Sequence, residues 1–206
     1  MIGEVKKFFN EHLDFGIYST TIISILTALA VLPCMYFLPE KCGFENGLLE
    51  NLQMAVLFIG CFFACRSKID KKFFNFVLLV LFILIIREVN CGRTLFFAVP
   101  GVENAYYSWK EIKYGWLAHP IYGLYMAYVG FYFLKNKLFV DLWQKIKNIK
   151  MPLWDVILMI TGMVLGTYAE EVSHNFLMEE STELLFYVAL VGIIYLYTRD
   201  KRFREE

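Results

Sequence analysis

The chain has 206 residues, of which 58% are hydrophobic, and its mean hydropathy is +0.51; soluble domains hold roughly 45–50% apolar residues, so an ordinary soluble domain is excluded and a membrane is implied. Its 20 basic and 20 acidic residues cancel, and the basic ones fall in short separated runs, so no nucleic-acid partner is expected.

Six segments have the roughly 18–23 residues a helix needs to cross about 30 Å of hydrocarbon. They cover 17–38, 48–65, 73–95, 115–133, 153–172 and 179–198, which predicts an all-α polytopic integral membrane protein with one transmembrane domain over 1–206. Lys6 and Lys7 precede an apolar run containing TALA (27–30), the outline of a secretory signal. The run continues through VLPCMYFL, however, so an uncleaved first span is expected. The second segment starts near Glu50 and is followed by Arg66, Lys68, Lys71 and Lys72, while the third ends with Arg87, Glu88 and Arg93.

An aromatic loop over 96–116 holds Tyr106, Tyr107, Trp109, Tyr114 and Trp116, residues favoured at headgroup level. The fourth segment opens near His119. After it, 136–150 places Leu138, Phe139, Leu142, Trp143, Ile146 and Ile149 at helical spacing among lysines, the pattern of a basic amphipathic helix on the inner leaflet. Between the fifth and sixth segments the stretch TYAEEVSHNFLMEESTE (167–183) gathers five glutamates and His174.

Lysine and arginine set the orientation, because loops on the cytoplasmic side are enriched in them. Fifteen fall on one side: Lys6 and Lys7; Arg66, Lys68, Lys71 and Lys72; Lys135, Lys137, Lys145, Lys147 and Lys150; Arg199, Lys201, Arg202 and Arg204. Only Lys41, Lys110 and Lys113 fall in the opposite loops. The expectation is three helical hairpins with both termini cytoplasmic, in a bacterial cytoplasmic membrane. Glu50, Arg87, Glu88, Arg93, His119, Glu170, Glu171, His174, Glu179, Glu180 and Glu183 then all converge on the extracytoplasmic face.

Charges in hydrocarbon cost about 2.5–3.5 kcal/mol each on insertion scales, so they are expected to face the bundle interior as a polar cup. Glu171 and His174 stand at the E-x-x-H spacing that carboxylate-bridged metal sites use on a helix. Glu50, Glu183 and His119 can complete a ligand set for Zn, Mn or Fe. Glu88 or Glu171 would be the general base, with Arg87 and Arg93 binding substrate or pairing with the carboxylates. The competing expectation is a structural salt-bridge network linking Glu88 and Glu171 to Arg87 and Arg93. Heme on His119 and His174 is disfavoured by the crowd of glutamates. Cys42 and Cys91 lie toward one face, where either free thiols or a disulfide would be compatible with the spacing.

The segments ENGLLENLQ (45–53), REVNCGR (87–93) and EESTELL (179–185) resemble patterns in small uncharacterised bacterial polytopic membrane proteins, a resemblance that spans most helices and implies no activity. The leading expectation from the residues is a membrane-embedded enzyme, metal-dependent, hydrolysing or transferring a group on a lipid or lipid-linked substrate. The alternatives are a proton- or cation-coupled transporter or channel and a non-enzymatic membrane subunit. Transport is the main alternative, set below the enzyme because Asp155 is the single acid near an inner helix end.

Overall fold

The computed structural model describes residues 12–199, and the side chains among them except those of 146–148. Lys6, Lys7, Lys201, Arg202 and Arg204, which contribute to the orientation argument, lie outside the described residues, as do the side chains of Ile146 and Lys147.

The eight α-helices are α1 (Ser19–Phe37), α2 (Leu48–Arg66), α3 (Lys71–Glu88), α4 (Arg93–Phe96), α5 (Ala118–Lys135), α6 (Leu138–Asn148), α7 (Leu153–Tyr168) and α8 (Phe176–Arg199). Two strands of two residues each, β1 (Leu13–Asp14) and β2 (Met151–Pro152), pair in parallel with Leu13 opposite Met151. Four helical stretches are long and apolar enough to cross a membrane: Ser19–Phe37, Glu40–Arg66, Leu153–Ser173 and Phe176–Arg199. A fifth qualifies if α3 and the following Asn90–Phe96 stretch form one span, bent by 55°. Among the described residues the fold is therefore all-helical with four or five such helices, and the expected span over 115–133 is the one without this support. Its helix α5 has 18 residues, so length is sufficient, but Tyr122, Tyr125, Tyr128 and Tyr132 dilute its hydropathy.

The bend has a local cause. Asn90, Cys91 and Gly92 have φ of +44°, +53° and +87°, three successive left-handed residues that no α-helix can contain. The expected continuous helix over 73–95 thus stops at Glu88. A second departure is at the end of α7, where a π-turn over Ala169–Ser173 leads to His174 at φ +48°. The expected fifth span over 153–172 loses α-helical geometry at Tyr168, and α8 begins at Phe176, three residues earlier than expected.

Helix α8 is the centre of the bundle. Helices α1, α2 and α7 all pack on it, α3 packs on α2, and α5 lies outside α3. Buried residues recur around α8 from Leu177 to Thr198, with Tyr187 and Ala189 fully enclosed. Leu57, Leu81, Ile85 and Tyr187 form the main core where α2, α3 and α8 meet. The approach of α7 to α8 depends on Gly162: a Cβ there would lie 2.6 Å from the backbone nitrogen of Phe186 and 2.8 Å from the carbonyl oxygen of Thr182. With Gly166 it makes a G-x-x-x-G spacing, which lets two membrane helices touch backbone to backbone. Large apolar side chains elsewhere on α1, α2, α5 and α7 point outward, as expected of surfaces solvated by lipid.

The opposite end from the glutamates is closed by a polar lock. Fully buried Asp155 accepts a hydrogen bond from the Thr21 hydroxyl, and the Trp154 indole N–H donates to the Phe15 carbonyl at 3.2 Å. Asp155 lies in the first turn of α7 and Thr21 in that of α1, so the carboxylate sits where two helix dipoles favour negative charge.

Candidate functional site

Because α3 stops at Glu88, its last turn brings Arg87 and Glu88 beside the N-terminal half of α8. A carboxylate at a helix C-terminus opposes the dipole, so it needs donors. Arg87 supplies two, its Nε and one terminal nitrogen donating to Glu88 Oε1 at 3.1 and 2.9 Å. The Tyr187 hydroxyl donates to the same oxygen. The terminal nitrogen of Arg87 also donates to Glu183 Oε1 at 2.7 Å and to the Tyr187 oxygen at 3.1 Å. One nitrogen thus carries two carboxylates and a phenol. The Glu88 side chain is 6% exposed and that of Glu183 19%, whereas Arg87 reaches outward at 51%.

A second layer is built on α2. Gln53, wholly buried, donates from Nε2 to both the carbonyl and the Oε2 of Glu180, each at 2.8 Å. Buried Glu50 accepts from the backbone N–H of Asn46, whose side-chain amide donates to the Thr94 carbonyl. That chain of bonds ties the start of α2 to α4. Glu180 lies within electrostatic reach of Glu50, Glu88, Glu179 and Glu183, and Glu50 within reach of Glu45, Glu88 and Glu183. Carboxylates gathered this way in low dielectric must be neutralised by cations or protons, and Arg87 is outnumbered.

The loop between α4 and α5 covers one side of this layer. Arg93 pairs with Glu45 at 3.7 Å, the Tyr106 hydroxyl donates to the Glu45 carbonyl at 3.0 Å, and the Glu45 N–H donates to Asn104 Oδ1 at 3.2 Å. Burial pushes the Tyr106 phenol up from its ordinary range. Between loop and helices lies a cavity of about 480 Å³ lined by Glu45, Arg93, Asn104, Tyr106, Glu179 and Glu180 among others.

Of the residues expected at the site, Glu50, Arg87, Glu88 and Glu183 therefore come together, and Arg93 lies on the rim. Glu171, His174 and His119 do not join them. Glu171 and His174 are exposed on the π-turn and just after it, where the α-helical three-residue spacing that would align them is lost. His119 is exposed and sets its ring edge-on to Trp109, centroids 5.8 Å apart. Among the described residues no group of three or more His, Cys, Asp or Glu side chains is placed to hold a metal ion. The expected ligand set of Glu50, His119, Glu171, His174 and Glu183 is dispersed, with His119, Glu171 and His174 exposed and apart from the carboxylate cluster. Cys42 and Cys91 are both free thiols.

Tyr187, Gln53 and Asn46 enter the site without having been expected there, and Tyr106 comes to it from the aromatic loop. Spacing signals two of them: Tyr187 follows Glu183 by four residues and Gln53 follows Glu50 by three, both same-face intervals on a helix. In comparisons with known proteins, the chain matches no protein family, no curated sequence and no solved structure.

Proposed function

We propose that this protein is a membrane-embedded enzyme whose carboxylate-rich end carries out hydrolysis or transfer on a lipid or lipid-linked substrate, with proton transfer at Glu88 and Glu183. The observation that supports it is the setting of Glu88: a nearly enclosed carboxylate, held by Arg87 and Tyr187 through one oxygen, with a second carboxylate on the same arginine nitrogen. A pair of carboxylates in unequal surroundings is a common basis for dividing acid and base roles. In this reading Glu88 takes a proton from water or a substrate hydroxyl, Glu183 returns one to the leaving group, and Arg87 faces the developing negative charge. The cavity beside Glu179 and Glu180 is the entrance for a polar headgroup.

The same reading takes the bundle as three hairpins with six spans, α5 serving as the sixth, both termini cytoplasmic, in a bacterial cytoplasmic membrane. The fifteen lysines and arginines on one side support that orientation. The carboxylate end is then extracytoplasmic.

One specific observation favours a second reading, in which the cluster is structural: Arg87 bonds α3 to α8 through Glu183 and Tyr187. Incubating purified protein with glycerophospholipids, polyprenyl phosphates and acylated peptides, and following products by mass spectrometry, separates the two. The enzyme reading expects turnover that Glu88→Gln lowers by about 100-fold or more, in the range general acid–base catalysis supplies, with the melting temperature nearly unchanged. No turnover in the wild type over that panel, with Glu88→Gln losing stability, would establish the structural reading instead.

A further inference from the structure

Helices α1 and α2 both pack on α8 but make little contact with each other. Between them, over α8, lies a cavity of about 410 Å³ whose wall is mainly apolar, formed by Ile23 of α1, Val56, Ile59 and Phe63 of α2, and Val191 and Tyr195 of α8. It extends about 10 Å along α8, from Val188 to Tyr195 at 1.5 Å per residue. Phe63 also lines a second cavity, of about 350 Å³, at the ends of α2 and α8. This one has a different character: Arg66, Lys68 and Arg199 surround it, together with Thr198 and Ile69. Phe63 packs edge-on to Tyr195 with centroids 5.0 Å apart, so one aromatic pair stands where the apolar slot meets the basic chamber.

Polarity along this path follows that of a phospholipid. The basic chamber is at the helix ends, where headgroups lie, and the apolar slot runs from it toward the middle of the bilayer. Helix C-termini repel anions, so the chamber owes its attraction for them to the three basic side chains, two from the α2 end and one from α8. The Arg66 guanidinium rests over the Phe62 ring at 5.3 Å, at the level where apolar and charged surroundings meet. Asp70, two residues beyond Lys68, is already engaged by Lys145 at 3.0 Å and by the Phe73 N–H at 3.1 Å. Basic pockets between membrane helices on such a face hold phosphate-bearing headgroups, and Arg and Lys bind them by charge-assisted hydrogen bonds.

We propose that the slot between α1, α2 and α8 and the chamber at Arg66, Lys68 and Arg199 together form a binding site for one anionic phospholipid of the leaflet at the basic end of the bundle. The phosphate and its anionic headgroup sit among the three basic residues, and one acyl chain lies along Ile59, Val191 and Tyr195. Binding there fills the gap between α1 and α2 and fastens both to α8.

Native mass spectrometry of the detergent-purified full chain, with phosphatidylglycerol or phosphatidylcholine of identical acyl chains, tests this directly. The wild type should retain one phosphatidylglycerol at least tenfold more tightly than phosphatidylcholine. Arg66→Gln with Lys68→Gln should erase that preference, and Ile59→Trp, which fills the slot, should weaken both lipids. Lys135→Gln with Lys137→Gln, at the same end but outside the chamber, should keep the preference. Millimolar inorganic phosphate should leave the bound lipid in place. Equal retention of the two lipids, loss of preference in the Lys135 and Lys137 control, or full displacement by inorganic phosphate would each overturn the site. Circular dichroism with wild-type helicity in the Arg66 and Lys68 variant shows that the loss is not unfolding.

Discussion

The two ends of the bundle solve the problem of charge in a membrane in opposite ways. At the basic end, Arg66, Lys68 and Arg199 project outward from helix termini, while the one deeply buried acid, Asp155, is stabilised by two helix N-termini and Thr21. At the carboxylate end, Glu50, Glu88 and Glu183 turn inward, and Glu88 stands at a helix C-terminus whose dipole opposes it. The first arrangement leaves the cations in water and encloses one acid, whose Oδ1 is buried without a hydrogen-bond partner among the described residues. The second places charges where only side-chain partners hold them, which is costly unless the arrangement serves a purpose. Burial of charge alone therefore does not mark a site, since Asp155 is more buried than Glu88; what sets the carboxylate end apart is that two acids share one arginine nitrogen.

The largest effect expected is in the sidedness of the two ends. In a cysteine-free background, Asn104→Cys should react almost completely with an impermeant maleimide added outside intact cells, and Asn148→Cys should react only after permeabilisation. The reverse pattern would move the carboxylates to the cytoplasmic side and remove the basis for an extracytoplasmic substrate.

Next in size is the loss of Arg87. Arg87→Ala leaves Glu88 enclosed with Tyr187 as its donor, and breaking a buried pair costs about 3 kcal/mol once the exposure of the arginine is discounted. Thermal unfolding in detergent should show the fall, and adding Glu88→Gln should recover most of it, because the two residues act as one unit. An unchanged melting curve would mean that the carboxylate end is held by packing alone.

A smaller effect is expected at the basic end. Asp155→Ala deprives the Thr21 hydroxyl of its acceptor at the α1–α7 contact, a loss of about 1–2 kcal/mol. If this variant proved the more damaging of the two, the contrast drawn between the ends would be inverted.

The smallest effect lies in the loop between α4 and α5. The Ser108 N–H donates to Glu111 Oε2 at 2.7 Å, and this bond holds the Glu111 carboxyl below the usual glutamate range. A depressed carboxylate keeps its contribution above the ordinary value and loses it as pH falls through the lowered one. The Ser108 amide proton shift should therefore titrate with a midpoint below the ordinary glutamate value, and Glu111→Gln should abolish the titration.

Much of the helical layout was legible because apolar length is a strong signal: α1, α2, α7 and α8 all fall close to the expected segments. The failures share a physical cause. The sequence RE-VN-CG carries Asn and Gly, which tolerate positive φ, yet the surrounding hydropathy masks the break at Glu88. Likewise the E-x-x-H spacing at Glu171 and His174 has meaning only on an α-helix, and the π-turn removes it. In the carboxylate cluster, Arg87 with Glu88 was readable as an unusual charge pair near a span's end. For Gln53 and Tyr187 the same-face spacing to Glu50 and Glu183 is readable, but their partners on other helices are not.

The central position of α8 bears on how the protein is made. Its packing partners α1, α2 and α7 all precede it in the chain, so each enters the bilayer before the surface it will lie against exists. Until Phe176–Arg199 arrives, Gly162 presents a bare backbone to lipid and Gln53 has no Glu180 to bind. Insertion and packing are thus separated in time, as lateral association after insertion allows, and the intermediate is a set of helices whose polar faces await a common column. A chaperone or protease that surveys membrane proteins by exposed polar groups would find this chain most recognisable just before its eighth helix docks.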